Sequence, residues 1–126
     1  MAKEKALPDL ADVSRRSGIA EDVLLHLRTD SSWDKAARCR DRDPELLFRG
    51  GQRKVPSRVQ ALCAGCTVRS LCLLNKSLND ERYGHWAGTN QRLRRAFLKS
   101  AQAVAEEVSL ANLERAALLD QARSTR

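Results

Sequence analysis

The chain has 126 residues, 42% hydrophobic and 31% charged, with 23 bases against 16 acids and a formal net charge of +7. That length supports one small domain, because two would each hold too little core. No apolar run approaches the ~20 residues of a membrane-spanning helix, and Met1-Ala-Lys-Glu-Lys has no apolar stretch behind it, so no secretory signal and a cytoplasmic location are expected. Only five side chains are aromatic, Trp33, Phe48, Tyr83, Trp86 and Phe97. So thin an aromatic core predicts that something besides side-chain packing helps to hold the fold.

Residues 1–8 read as a frayed tail. Leu10, Val13, Ile19, Val23, Leu24 and Leu27 then recur at helical spacing interrupted at Gly18, which predicts two short helices over 9–17 and 20–29. The same stretch has the spacing of a helix-turn-helix whose second helix would enter a major groove. Glu21 and Asp22 would then face the phosphates, and a small helical cap is the preferred reading. A polar loop follows at 49–57, and Ser57 is placed to cap a helix running through Val59 and Leu62 to Cys63. Another helix is expected from Val68 to about Asn79-Asp80. Tyr83-Gly-His-Trp-Ala-Gly88 reads as a turn, with Gly84 and Gly88 free to take positive φ. From Thr89 a helical pattern of Leu93, Phe97, Ala101, Val104, Val108, Leu113 and Leu118 runs to Arg126 without Gly or Pro. Its terminal part is expected to present Leu113, Leu118 and Leu119 as an apolar face. No segment reads as a strand, so the expected class is all-α.

Charge is unevenly spread. Residues 1–38 balance, 39–72 hold seven bases against three acids, and 81–99 hold five against one. The last 27 residues sum to −1. A basic middle is the footprint of a phosphate-bearing or acidic partner. Arg92, Arg94, Arg95 and Lys99 are the candidate DNA contacts, with the solvated face of a helix as the plain alternative. His85 is expected in a surface turn, and His26 is expected partly exposed.

Cys39, Cys63, Cys66 and Cys72 fall within 34 residues, spaced C-x23-C-x2-C-x5-C. Two disulfides would suit a secreted mini-protein, which this chain does not resemble. A structural zinc site commonly uses two Cys-x-x-Cys knuckles, and here there is one. An iron–sulfur cluster also takes four thiolates and tolerates uneven spacing. Arg38, Arg40, Arg42 and Arg69 crowd the cysteines and favour thiolate over thiol. Spacing alone leaves zinc and iron–sulfur open. A Cys63-x-x-Cys66 disulfide reductase would need a βαβ context that the sequence does not offer.

The flanking residues narrow the choice. Trp33-Asp-Lys-Ala-Ala-Arg-Cys39-Arg-Asp-Arg-Asp43-Pro-Glu-Leu-Leu-Phe48 resembles the first half of the WhiB-like family of actinobacterial, or actinophage, transcription factors. Cys63-Ala-Gly-Cys66-Thr-Val-Arg-Ser-Leu-Cys72-Leu and Tyr83-Gly-His-Trp-Ala-Gly88 resemble its second half. The resemblance covers about residues 33–98. It implies a small bundle of short helices organised around a [4Fe–4S] cluster on Cys39, Cys63, Cys66 and Cys72, with zinc as the alternative metal. It also implies binding to the C-terminal domain of the primary sigma factor of RNA polymerase through Trp33, Phe48 and Trp86, and reactivity of the cluster towards nitric oxide or oxidants. The expected organisation is an N-terminal helical extension over 1–32, the cluster domain over 33–98 and a C-terminal helix over 99–126. The expected function is therefore a non-enzymatic transcriptional regulator that meets promoter DNA in complex with polymerase. The alternative is a zinc-binding structural or DNA-binding module. Two departures from the family pattern stand out. Ala87 occupies a turn position where the family usually has glycine, and the chain ends in a long, near-neutral helical segment in place of a short basic tail.

Overall fold

The computed structural model describes residues 7–48 and 54–124. Among them are six α-helices, several short 3-10 turns and no strand: α1 (Leu10–Ser17), α2 (Glu21–Thr29), α3 (Ser57–Ala64), α4 (Arg69–Leu78), α5 (Gln91–Lys99) and α6 (Ala101–Ser124). Most of the loop expected at 49–57 and of the tail expected at 1–8 lies outside the described residues.

The sequence signals explain most of these boundaries. Asp9 caps α1 by accepting from the Ala11 N–H, and Gly18 ends it at φ 78° with its N–H on Ser14 O. Capping by Asp and a left-handed glycine are ordinary helix stops. Helix α3 begins one residue earlier than expected: Pro56 occupies the cap position and Ser57, the expected cap, is the first helical residue. The long pattern after Thr89 is not one helix. Ser100 leaves helical geometry at φ −95°, ψ 104° and its Oγ accepts from the Ala103 N–H, which restarts the chain as α6.

Helix α4 is the axis of the molecule. Its Leu71, Leu73, Leu74 and Leu78 are buried and join Val13 of α1, Leu24 and Leu27 of α2, Leu98 of α5, and Val104, Val108 and Ala111 of α6 in one core. The helices at either end thus wall the core. The aliphatic side chains of the first and last helices supply what the few aromatics do not. Helix α2 also delivers its C-terminal carbonyls to α4: Asn75 Nδ2 donates to Leu27 O (3.1 Å) and Arg28 O (3.0 Å), and Asn79 Nδ2 donates to Arg28 O (2.8 Å). Those carbonyls would otherwise lack partners at the helix end.

The terminal helix faces the core differently from expectation. Leu113 and Leu119 are 68% and 57% exposed. The stripe that packs is Val104, Val108 and Ala111, with Leu118 partly buried against it. Two acids share that side of α6. Glu114 accepts from the main-chain N–H groups of Ser70 (3.0 Å) and Leu71 (2.9 Å), and Glu107 accepts from Ser70 Oγ (2.6 Å). Helix α6 thereby caps the first turn of α4 at Ser70 and Leu71, immediately before Cys72. Burial raises the Glu114 pKa in spite of these bonds.

A second, smaller cluster of Leu47, Val55, Val59 and Cys63 lies across from the main core, with Trp86 packed against both. The four cysteines sit where the two clusters meet.

Candidate metal centre

Each cysteine is delivered by a different piece of local structure. Cys39 lies in the 3-10 turn Arg38–Asp41, Cys63 in the last turn of α3, and Cys72 in the first half of α4. Cys66 sits between the helices, where its N–H donates to Cys63 O at 3.1 Å. All four line one cavity, together with Trp33, Asp34, Ala37, Arg38, Leu47, Leu62, Arg69, Trp86 and Ala87. None forms a disulfide. Among the described residues no three Cys, His, Asp or Glu side chains converge on a single-ion site; the thiols ring a cavity instead.

Burial dominates the electrostatics. It raises the thiol pKa of Cys39 and Cys63, and it pushes Cys72 up to about 12. Mutual repulsion among the sulfurs acts in the same direction, while Lys76 opposes it at Cys39 and Cys72 and Arg69 opposes it at Cys63. Burial thus favours the protonated thiol at these three positions, and a metal bound there would have to displace the protons. Four soft donors, apolar walls and flanking bases fit a thiolate-ligated centre.

The turn beside the cavity is built around Trp86. Its Nε1 donates to Tyr83 O at 2.7 Å, the Lys76 ammonium lies 4.1 Å from its ring centroid, and Phe48 meets it edge-to-face at 6.1 Å. Gly84 adopts φ 90°, and a Cβ there would lie 2.6 Å from Trp86 Nε1. Ala87 sits at φ 53°, so alanine holds the left-handed backbone expected of glycine there. His85 is buried, with its N–H on Leu47 O, and is not a surface residue.

The candidate interface and DNA residues divide. Phe48 is 49% exposed and packs on the partly buried Trp86, which lines the cavity, while Tyr83 is exposed in the same loop as Trp86. Trp33 is 5% exposed, with Nε1 on Asp30 O, so it belongs to the cavity wall and not to an outer face. In α5, Arg92 and Lys99 are exposed. Arg95 is committed to Asp80 by two bonds of 3.0 and 2.9 Å. Arg94 is 1% exposed and is withdrawn from any phosphate. Its guanidinium donates to Thr89 O (2.7 Å), Glu81 O (2.8 Å) and Gly84 O (3.4 Å), clamping the Trp86 loop from beneath. Burial lowers its pKa from the usual arginine value.

Among the described residues the structure is all-helical, and four cysteines line one cavity with Trp33 and Trp86 in its wall. Residues 33–97 match the family model described as transcription factor WhiB. The chain is 41% identical over 71 residues to the transcriptional regulator WhiB of Streptomyces coelicolor, covering 55% of this chain and 78% of that protein. It is 38% identical over 77 residues to the transcriptional regulator WhiB2 of Mycobacterium tuberculosis, covering 60% and 82%. The match to WhiB2 of Mycolicibacterium smegmatis is 38% over 68 residues and spans half of that protein. The chain belongs to the WhiB family. The matched segment holds all four cysteines and the Trp86 turn, while α1, α2 and α6 lie outside it.

Proposed function

We propose that this protein is a transcriptional regulator that carries a [4Fe–4S] cluster on Cys39, Cys63, Cys66 and Cys72 and binds the C-terminal domain of the primary sigma factor. The observation that carries this reading is the set of four thiols lining one cavity, Cys63 and Cys72 buried and Cys39 and Cys66 half-buried, with Trp86 beside them. Zinc draws four sulfurs to about 2.3 Å from one point. One Cys-x-x-Cys pair with two lone cysteines, in a segment that matches the WhiB family, supports iron–sulfur over zinc. The cluster, when bound, supplies a structural bridge between the two apolar clusters and a site reactive towards nitric oxide or oxidants.

The chain's own residues do the recognition. Phe48 and Trp86 offer the large, rigid aromatic area that concentrates at interface centres, and Lys76 and the Tyr83 carbonyl hold the indole in place. With Arg94 buried and Arg95 paired, α5 leaves Arg92 and Lys99 for phosphates, so promoter contact arises chiefly when polymerase brings the protein to DNA. The relatives' roles as transcriptional regulators support a non-enzymatic function. Calorimetric titration with the isolated sigma domain tests the reading. Trp86→Ala is expected to weaken binding by about 2 kcal/mol or more with the visible spectrum unchanged. Absence of binding by the wild type, or unchanged affinity in the variant, contradicts it.

A further inference from the structure

Arg38 stands between two concavities. It lines the thiol cavity and also an open groove shared with Arg42 and Arg58. Its main-chain N–H donates to Cys66 Sγ at 3.4 Å, and its Nη1 donates to Leu62 O at 3.3 Å. Leu62 and Cys66 flank the Cys63-Ala-Gly-Cys66 turn, so one residue holds both ends of it. The guanidinium rests over Gly65, where a Cβ would overlap Nη1 and lie 3.2 Å from Cζ. Gly65 has φ −93°, which any residue adopts. Glycine there leaves room for the guanidinium, and a Cβ would push the arginine tip aside. Arg38 also directly precedes Cys39, the ligand candidate that comes from a separate segment.

We propose that Arg38 is a positioning residue of the metal centre: it ties the Cys39 segment to the Cys63–Cys66 turn and supplies positive charge on the solvent side of the thiolates. The inference rests on the four thiols being ligands. A thiolate centre is anionic, and N–H donors and cations beside its sulfurs favour both the deprotonated ligands and the reduced state. Because Arg38 is exposed, water screens its charge. The expected effect lies at the lower end of that seen for outer partners of metal ligands, about tenfold in metal affinity.

Two readouts test this. Reduced apo protein is titrated with Co2+, whose thiolate complexes absorb visibly, and the cluster-loaded protein is poised for its midpoint potential. Arg38→Ala is expected to weaken Co2+ binding about tenfold and to lower the potential, and Arg38→Lys to recover most of both. Gly65→Ala should reproduce Arg38→Ala, because the new methyl displaces the guanidinium, and the double variant should be no worse than either single one. Unchanged affinity and potential in Arg38→Ala, or additive effects of the two substitutions, overturn the proposal while leaving the thiol centre standing. A wild-type protein that takes up neither Co2+ nor iron overturns the centre and Arg38's role with it.

Discussion

Replacing Arg94 with methionine removes the guanidinium that gathers the carbonyls of the 81–89 loop while keeping most of the buried volume. Two of its bonds are short, 2.7 Å to Thr89 O and 2.8 Å to Glu81 O. A hydrogen bond from a charged donor contributes about 1.5–3 kcal/mol. Methionine avoids the desolvation of a buried cation, and the loop carbonyls recover water as the loop loosens. The net loss is therefore expected at about 2–3 kcal/mol, below the sum of the two bonds. In a chain of this size that lowers the apparent Tm by roughly 10 °C. Hydrogen exchange should accelerate at Thr89, whose N–H donates to Trp86 O. Arg92→Ala, on the exposed face of the same helix, is the control and should stay within about 0.5 kcal/mol of wild type. If Arg94→Met melts like Arg92→Ala and exchange in the loop is unaltered, the clamp is not what fixes the Trp86 turn.

Further outcomes follow from other contacts. Glu114→Ala leaves two buried N–H groups at the start of α4 without a partner, at about 1–3 kcal/mol each. Thermal unfolding should show a loss of roughly 3 kcal/mol, and a neutral result would mean that α6 does not cap α4. Ala87→Gly relieves a left-handed alanine costing about 1–2 kcal/mol, but gives up a buried methyl of about 0.8 kcal/mol and adds about 0.5–1 kcal/mol of chain entropy. These nearly cancel, so denaturant midpoints should barely move, whereas Ala87→Val should destabilise clearly; a large gain from glycine would show that strain dominates. Two free bases on α5 limit its share of the salt dependence of DNA binding to a slope of about −1.8, and a steeper loss of slope in Arg92→Ala/Lys99→Ala would show more contacts than this surface offers.

The sequence makes some of this legible and hides the rest for identifiable reasons. Helical periodicity marks α1 and α2, Gly18 separates them, and the four cysteines with their flanking residues point to one centre. Periodicity says which residues share a face but not what covers it, so it does not reveal that the first and last helices wall the core around α4. Arg94 sits in a run of bases and reads as a solvated charge, because its partners are main-chain carbonyls, which leave no trace in side-chain pattern. Ser100 ends a helix with neither Gly nor Pro to announce it. Glu107 and Glu114 carried a usable signal: they are seven apart, on the side of α6 that also bears Ala111 and Leu118, where acids need partners. Trp33 reads as an interface residue because it is large and rare, yet in a chain with five aromatics the fold takes it for the cavity wall.

The central claim is that the four thiols hold an iron–sulfur cluster, and metal and sulfide analysis of protein purified without oxygen tests it most directly. The protein is expected to be brown with broad visible absorption and to contain about four irons and four acid-labile sulfides per chain, with colour and metal lost together in Cys39→Ala, Cys63→Ala, Cys66→Ala or Cys72→Ala. A colourless protein holding one zinc per chain on the same cysteines would contradict it.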